Sequence, residues 1–192
     1  MKNQFPQSAS RALHEKVKTA KKRKNSSVRW LERQINDPYV IAAKKQGYKS
    51  RAAYKLIELN EKFKFLKTNT NLLDLGASPG SWSQVASKII TSGKILSIDI
   101  KNMSPIKNVN FYKSDIFEKT TKNKIRDFFN GKLDVIISDM AADTTGNKSL
   151  DSIRTNQLCL EILHLSPKVL VSNGVFVSKA FMGDEFDEIK KL

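Results

Sequence analysis

Beyond Thr70 the chain alternates short apolar runs with helical stretches, and this alternation constrains the fold more than any other feature. NLLDLG, KILSIDI, NVNFYKSD, KLDVIISDM and GVFVSKAF each read as a strand. SWSQVASKII reads as a helix, IRDFFNG as the end of another, and about Leu150–Leu170 as a third, long one. Strands separated by helices of this length require right-handed crossovers, which give a parallel sheet covered on both faces. The unbroken hydrophobicity of DVIIS and GVFVS predicts strands buried on both sides. The expected class is α/β. Ligands of such sheets bind at the carboxyl ends of the strands, so the residues just after each strand carry the functional information.

The first strand runs into LLDLGASPGSWSQ, where the spacing Asp74-x-Gly76-x-x-Pro79-Gly80 permits a tight turn and close backbone approach to a ligand. It is not a dinucleotide fingerprint, which from Gly76 would need glycines where Ser78 and Ser81 stand. Nor is it a P-loop, since Ser81-Trp82 replaces the Lys-Ser/Thr pair. Without a run of glycines aimed at phosphates, the ligand reads as a nucleoside. Asp99 closes the second strand 23 residues after Gly76, where a carboxylate can accept from both ribose hydroxyls. Asp115 follows the third strand, within reach of an adenine amino group. Asp139 follows the fourth and Lys179 the fifth. A lysine closing so apolar a strand is expected to be partly desolvated, and burial near a second cation lowers its pKa from ~10.4 toward values at which it can act as a base. Lys55, on the helix before the first strand, is the candidate second cation, and Asp139 the group that orients the pair. The alternative for Lys179 is a side chain that snorkels to solvent.

Charge is distributed unevenly. Residues 1–70 carry 18 Lys/Arg against 5 Asp/Glu, whereas residues 71–192 carry 16 against 14, within a total of +15. A polyanionic partner is expected for the first segment. Residues 1–27, with the run Lys21-Lys22-Arg23-Lys24, read as a basic, flexible arm, and 28–192 as one domain made of N-terminal helices (28–70) and an α/β core (71–192). Apolar residues around Asp37-Pro38 predict two short helices joined at the proline, and Ser50 is a candidate N-cap for the helix through Ala53, Leu56 and Ile57. Arg29, Lys44, Lys45, Lys49 and Arg51 are the candidate phosphate-binding cations, the last four read as part of a folded, helical element. No apolar run approaches the ~20 residues needed to cross a bilayer, and the N-terminus lacks a secretory h-region. One cysteine and two distant histidines, His14 and His164, offer no metal cluster. No metal, no membrane, a cytoplasmic setting and a monomer are the expectations.

The chemistry narrows by exclusion. Asp139-Met-Ala-Ala is not the Asn/Asp-Pro-Pro-aromatic motif of base-amino methylation, and Cys159, among Leu158, Leu160 and Ile162, reads as a small core hydrophobe rather than a nucleophile. A lysine-centred site suits removal of a proton from an alcohol. The alcohol that a basic, RNA-seeking protein meets is the ribose 2′-OH.

Taken together, RWLERQINDPYVIAAKKQGYKSRAAYKL, LLDLGASPGSWSQ, IDIKNM, SDMAADTTG with Asp151 and Arg154, and FVSKAF resemble the FtsJ family of ribosomal RNA ribose 2′-O-methyltransferases, from about Ser27 to the end. The resemblance implies a Rossmann-like class I methyltransferase sheet with helices on both faces and S-adenosyl-L-methionine as cofactor. It implies cofactor contacts at Gly80, Trp82, Asp99, Asp115 and Asp139, beside the Gly76 turn already read as a ligand approach, and a Lys-Asp-Lys-Glu tetrad whose first three members match Lys55, Asp139 and Lys179. It further implies a uridine of large-subunit (23S) ribosomal RNA, in the assembled subunit, as substrate. Alternatives are a 2′-O-methyltransferase of transfer RNA or another RNA, and a non-catalytic RNA-binding or ribosome-assembly factor that keeps the cofactor pocket. Two features depart from the family pattern. Ser81 stands where the family more often has glycine, and the last two strands and the tetrad glutamate are expected beyond Leu192, with none of Glu185, Asp187 or Glu188 matching that glutamate's context.

Overall fold

The computed structural model describes residues 15–19, 21, 24–183 and 185–191. The expectations for 1–14, 20, 22 and 23, including most of the basic arm, lie outside the described residues. Of that arm, Glu15 is tied to the fold: its amide donates to Asn36 Oδ1 at 2.8 Å, and Asn36 Nδ2 donates back to its carbonyl at 2.9 Å.

Three helices precede the sheet: α1 (Asn25–Ile35), α2 (Pro38–Lys45) and α3 (Ala52–Phe63). The break between α1 and α2 falls at the proline, as the sequence predicts. Asp37 caps α2 by accepting from the amides of Tyr39 and Val40, and Pro38 occupies the first turn, where its missing N–H costs nothing. Lys44–Arg51 is not one helix. Lys44 and Lys45 end α2, Gly47 turns the chain at φ +74°, and α3 begins at Ala52. The backbone cap of α3 is Arg51, while Ser50 acts through its hydroxyl, which accepts from the Ala52 amide at 3.2 Å.

The sheet is parallel throughout, in the order β3-β2-β1-β4-β5. Its strands are β1 (Leu72–Leu75), β2 (Ile95–Asp99), β3 (Asn110–Lys113), β4 (Leu133–Ser138) and β5 (Leu170–Ser178). Helix α4 (Ser81–Ile89) links β1 to β2, α5 (Lys119–Phe129) links β3 to β4, and α6 (Lys148–Leu165) links β4 to β5; α7 (Phe186–Lys191) follows. Successive residues of β1 serve opposite faces. Leu72 joins a core with Leu56, Ile57, Trp82 and Val85 of α3 and α4. Leu73 and Leu75 join another with Ile125 and Phe129 of α5 and Ile162 of α6. The sheet is thus covered on both faces by packed helices.

Three expectations are corrected around the last strand. The long helix ends at Leu165 rather than near Leu170, because Pro167 brings a 3-10 turn over Ser166–Lys168. Strand β5 then begins at Leu170, well before GVFVS, and passes Asn173 at φ +66°, with a register shift against β4 between Leu133 and Val135. Moreover, GVFVS is only half-buried. Among the described residues β5 pairs with β4 alone, so its far side carries no strand, whereas Val135–Ser138 of β4, flanked by β1 and β5, is buried throughout.

Candidate active site

The parallel register places Ser138 of β4 beside Ser178 of β5, and the ladder continues one step further as the Lys179 amide donates to the Ser138 carbonyl at 2.9 Å. Asp139 and Lys179 therefore leave the sheet side by side. Helix α3 buries Ala53, Tyr54, Leu56 and Ile57, which turns Lys55 outward to the same strand ends. Lys55 Nζ lies 3.2 Å and Lys179 Nζ 3.2 Å from Asp139 Oδ1, so one carboxylate oxygen bridges two ammonium groups. Lys179 also donates to the Asp139 carbonyl at 2.7 Å, which fixes its stem. Its side chain is 23% exposed against 57% for Lys55, matching the partial desolvation expected from a strand-end lysine.

A cavity of about 1070 Å³ opens beside this cluster, lined by Gly76, Ser78, Asp99, Asp115, Asp139 and Met140 among others. Two of the three strand-end carboxylates are pre-set by backbone amides. Asp99 accepts from Ser78 at 2.8 Å and Lys101 at 2.7 Å, and Asp115 from Phe117 at 2.9 Å. A carboxylate has about four lone-pair sites, so both oxygens of Asp99 keep capacity for ligand hydroxyls. Ile98, Ile116, Phe117 and Leu158 add apolar wall near Asp115. Gly76, at φ +70°, forms a cradle: a Cβ there would lie 2.0 Å from Met140 Cγ. Two ready acceptors, an apolar slot and a side-chain-free turn fit a nucleoside-bearing cofactor such as S-adenosyl-L-methionine.

Gly80 and Trp82 do not line the cavity. Gly80 takes φ +107° at the start of α4, and a Cβ would meet Ile106 and Met103 at 2.7 and 2.8 Å. The Trp82 ring is buried between α3 and α4, with Nε1 donating to the Ala52 carbonyl at 2.9 Å. Its side chain is committed to packing. Ser81, where glycine is commoner in the family, has helical backbone as the first residue of α4 and shares a 2.7 Å hydroxyl contact with Ser50. Cys159 is buried, as expected. Of the expected phosphate-binding cations, Arg29, Lys44 and Lys45 are exposed. Arg51 pairs with Asp37, and Lys49 Nζ donates to the Ser104 carbonyl at 3.2 Å, so these two already hold the α2–α3 turn in place.

Two arrangements were not read from the sequence. Behind the turn, Asp74 is 1% exposed and accepts from the Ser83 hydroxyl at 2.5 Å; Ser83 in turn lies 2.8 Å from Ser97. Burial pushes the Asp74 carboxyl up to about 7; the Ser83 hydroxyl opposes the shift, and Asp139 and Asp99 add to it. On α6, Asp151, Ser152, Thr155 and Asn156 share one buried face and anchor the loops that follow β4 and β5. Asp151 Oδ1 accepts from the Thr145 amide and hydroxyl at 2.7 and 2.8 Å, which holds its carboxyl below the usual carboxylate range. Asn156, fully buried, accepts from the Phe181 amide at 2.8 Å and donates to its carbonyl at 2.9 Å, two residues past Lys179. The sequence signal was present: four polar residues at i, i+1, i+4 and i+5 on an otherwise core-facing helix.

Among the described residues no helix is long and apolar enough to cross a membrane, and no group of His, Cys, Asp or Glu could hold a metal ion. Comparison with known proteins agrees with the geometry. Ribosomal RNA large subunit methyltransferase E of Rickettsia akari is 48% identical over 180 residues, spanning 91% of this chain and 79% of that one. Its namesake from Pelagibacter ubique is 45% identical over 171 residues, spanning 89% and 84%. The crystal structure of a ribosomal RNA methyltransferase from Plasmodium falciparum superposes with a TM-score of 0.70 at 37% identity, covering 75% of this chain and 84% of that one. The family model of FtsJ-like methyltransferases matches residues 48–192. With its Rossmann-like parallel sheet and strand-end cavity, the chain belongs to the FtsJ-like methyltransferase family of enzymes.

Proposed function

We propose that this enzyme transfers the methyl group of S-adenosyl-L-methionine to the ribose 2′-oxygen of a uridine in large-subunit (23S) ribosomal RNA, within the assembled subunit and in the cytoplasm. The observation that carries this reading is the meeting of Lys55 and Lys179 on Asp139 at the rim of a cavity whose walls hold Asp99 and Asp115. The names of the relatives support large-subunit ribosomal RNA as the substrate class.

In this reading Asp99 accepts from the cofactor's ribose hydroxyls and Asp115 from its adenine amino group, while Gly76 lets the backbone approach. The bound cofactor supplies a methyl already activated on sulfonium. Most of the acceleration then comes from positioning. Lys55 and Lys179 hold the 2′-hydroxyl against Asp139. As the oxygen–methyl bond forms and the methyl–sulfonium bond breaks to leave a neutral thioether, the hydroxyl proton would pass to the Lys179–Asp139 pair. Arg29, Lys44 and Lys45 contact RNA phosphates, so affinity falls steeply with salt.

Lys179→Met tests the assignment. Single-turnover transfer to hypomethylated large subunits should fall by about three orders of magnitude, in line with losing a general base together with its positioning. Calorimetric affinity for S-adenosyl-L-methionine should stay within a few-fold. Loss of both together would make Lys179 structural rather than catalytic, and retained transfer would remove it from the chemistry.

A further inference from the structure

A second groove, of about 390 Å³, lies between α5 and the C-terminal part of α6, and the catalytic cluster does not use it. It shares Lys122, Glu161 and His164 with the wall of the strand-end cavity, so the two are continuous. Lys119, Lys122, Arg126 and Lys168 line it, with Glu161 the one carboxylate among its lining residues. None of these four cations is in an ion pair among the described residues.

The arrangement works against the helix that carries it. Lys119, Lys122 and Arg126 fall at i, i+3 and i+7, one stripe of α5, where neighbouring like charges repel. Lys119 and Lys122 also sit in the first turn, at the positive end of the helix dipole, with no acidic residue there to offset them. The N-cap Glu118 turns its carboxylate to the hydroxyls of Ser114 and Thr120 instead. Complementing the C-terminal dipole of α6 accounts for Lys168 and His164 but not for the stripe on α5. An anion seated in the groove resolves both the mutual repulsion and the dipole mismatch.

We propose that the α5–α6 groove binds the phosphate backbone of the RNA substrate, on the sheet face opposite α3 and α4. This inference rests on the ribosomal RNA reading above and deepens it. The RNA is held on both flanks of the cavity: by Arg29, Lys44 and Lys45 on one side, and by a backbone track leaving the cavity at Lys122 and passing Arg126 toward Lys168 on the other. The near-neutral balance of residues 71–192 conceals this patch, since its cations are offset elsewhere in the segment rather than in the groove.

The test uses Lys119→Gln/Arg126→Gln/Lys168→Gln, three positions that do not line the strand-end cavity. The comparison variant Lys62→Gln/Lys64→Gln/Lys67→Gln removes the same charge from the exposed end of α3 and the turn that follows it. Affinity for hypomethylated large-subunit ribosomal RNA is read by fluorescence anisotropy across a salt series, with S-adenosyl-L-methionine affinity as the check on folding. The groove variant should bind RNA on the order of ten-fold more weakly, with a log–log salt slope shallower by about 2 to 3 and cofactor affinity unchanged. The α3 variant should stay near wild type, as should Lys119→Arg/Lys168→Arg. Equal losses in the groove and α3 variants, or no loss in either, overturn the proposal. A loss seen on assembled subunits but not on naked RNA overturns it in favour of an acidic protein partner. Wild-type transfer with an unaffected groove variant defeats the groove alone, whereas a wild-type chain that binds neither naked RNA nor assembled subunits defeats the substrate reading as well.

Discussion

Replacing Asp74 with asparagine should make the protein's stability less sensitive to pH, by an amount the structure sets. Asp74 is buried behind the Gly76 turn, and its carboxyl titrates at about 7 against an ordinary 3.8. An acid whose folded pKa is raised holds its proton more tightly when folded. Stability is therefore highest below the unfolded value, falls as pH rises through the window from 3.8 to about 7, and levels off above it. About three pH units at roughly 1.4 kcal/mol each make the whole loss about 4 kcal/mol. About half of it, ~2 kcal/mol, falls between about pH 5.5 and about pH 8.5. Asparagine keeps the shape and an oxygen for the Ser83 hydroxyl but does not titrate. Urea unfolding of both proteins at those two pH values should show the asparagine variant gaining ~2 kcal/mol on wild type from the lower to the higher. A difference that stays constant, or moves the other way, would mean that Asp74 ionises as an ordinary carboxyl and that the buried Asp74–Ser83–Ser97 chain is misread.

Gly76→Ala should lower stability by about 1–3 kcal/mol and weaken S-adenosyl-L-methionine binding, because its Cβ would overlap Met140 at 2.0 Å and the φ of +70° favours glycine; equal affinity by calorimetry would remove the cradle. Trp82→Phe should cost about 1–2 kcal/mol in thermal or urea unfolding through the lost bond to the Ala52 carbonyl, yet leave cofactor affinity unchanged. A large affinity loss would return the Trp82 side chain to the cavity wall. Asn156→Ala should cost about 2–3 kcal/mol, since two backbone bonds to Phe181 vanish inside the core. The account also expects its kcat to fall while cofactor affinity holds, because Phe181 anchors the segment after Lys179. An unchanged kcat would make Asn156 purely structural.

How much of this was legible beforehand follows from the range of each interaction. The sheet and the residues at its carboxyl ends could be read because strand-end position is a local property: the apolar run fixes the strand, and the next residue emerges at the edge. Asp139 and Lys179 leave neighbouring strands on that basis, and Lys55 meets them from α3. Misreadings arose where a signal had two meanings. Leu170 and Val171 extend a helical apolar pattern as well as they begin a strand, and the Asn173-Gly174 pair looks like a boundary although the strand runs through it. GVFVS is apolar enough for a central strand but, among the described residues, lies beside β4 alone. The anchoring face of α6 depends on which loops come to lie beside it, so no local pattern could name Thr145 or Phe181 as its partners. The α5–α6 groove escaped for a related reason. Summing charge over a segment loses the face on which the cations stand.

The central claim is tested most directly by the product itself. Labelled methyl from S-adenosyl-L-methionine would be offered to hypomethylated large ribosomal subunits, with free ribosomal RNA and transfer RNA alongside, and the RNA then hydrolysed in alkali. The account predicts label in large-subunit RNA that survives alkali in a uridine-containing dinucleotide, since a 2′-O-methyl group blocks cleavage at that ribose. Label that is released with mononucleotides, or that enters transfer RNA instead, would contradict it.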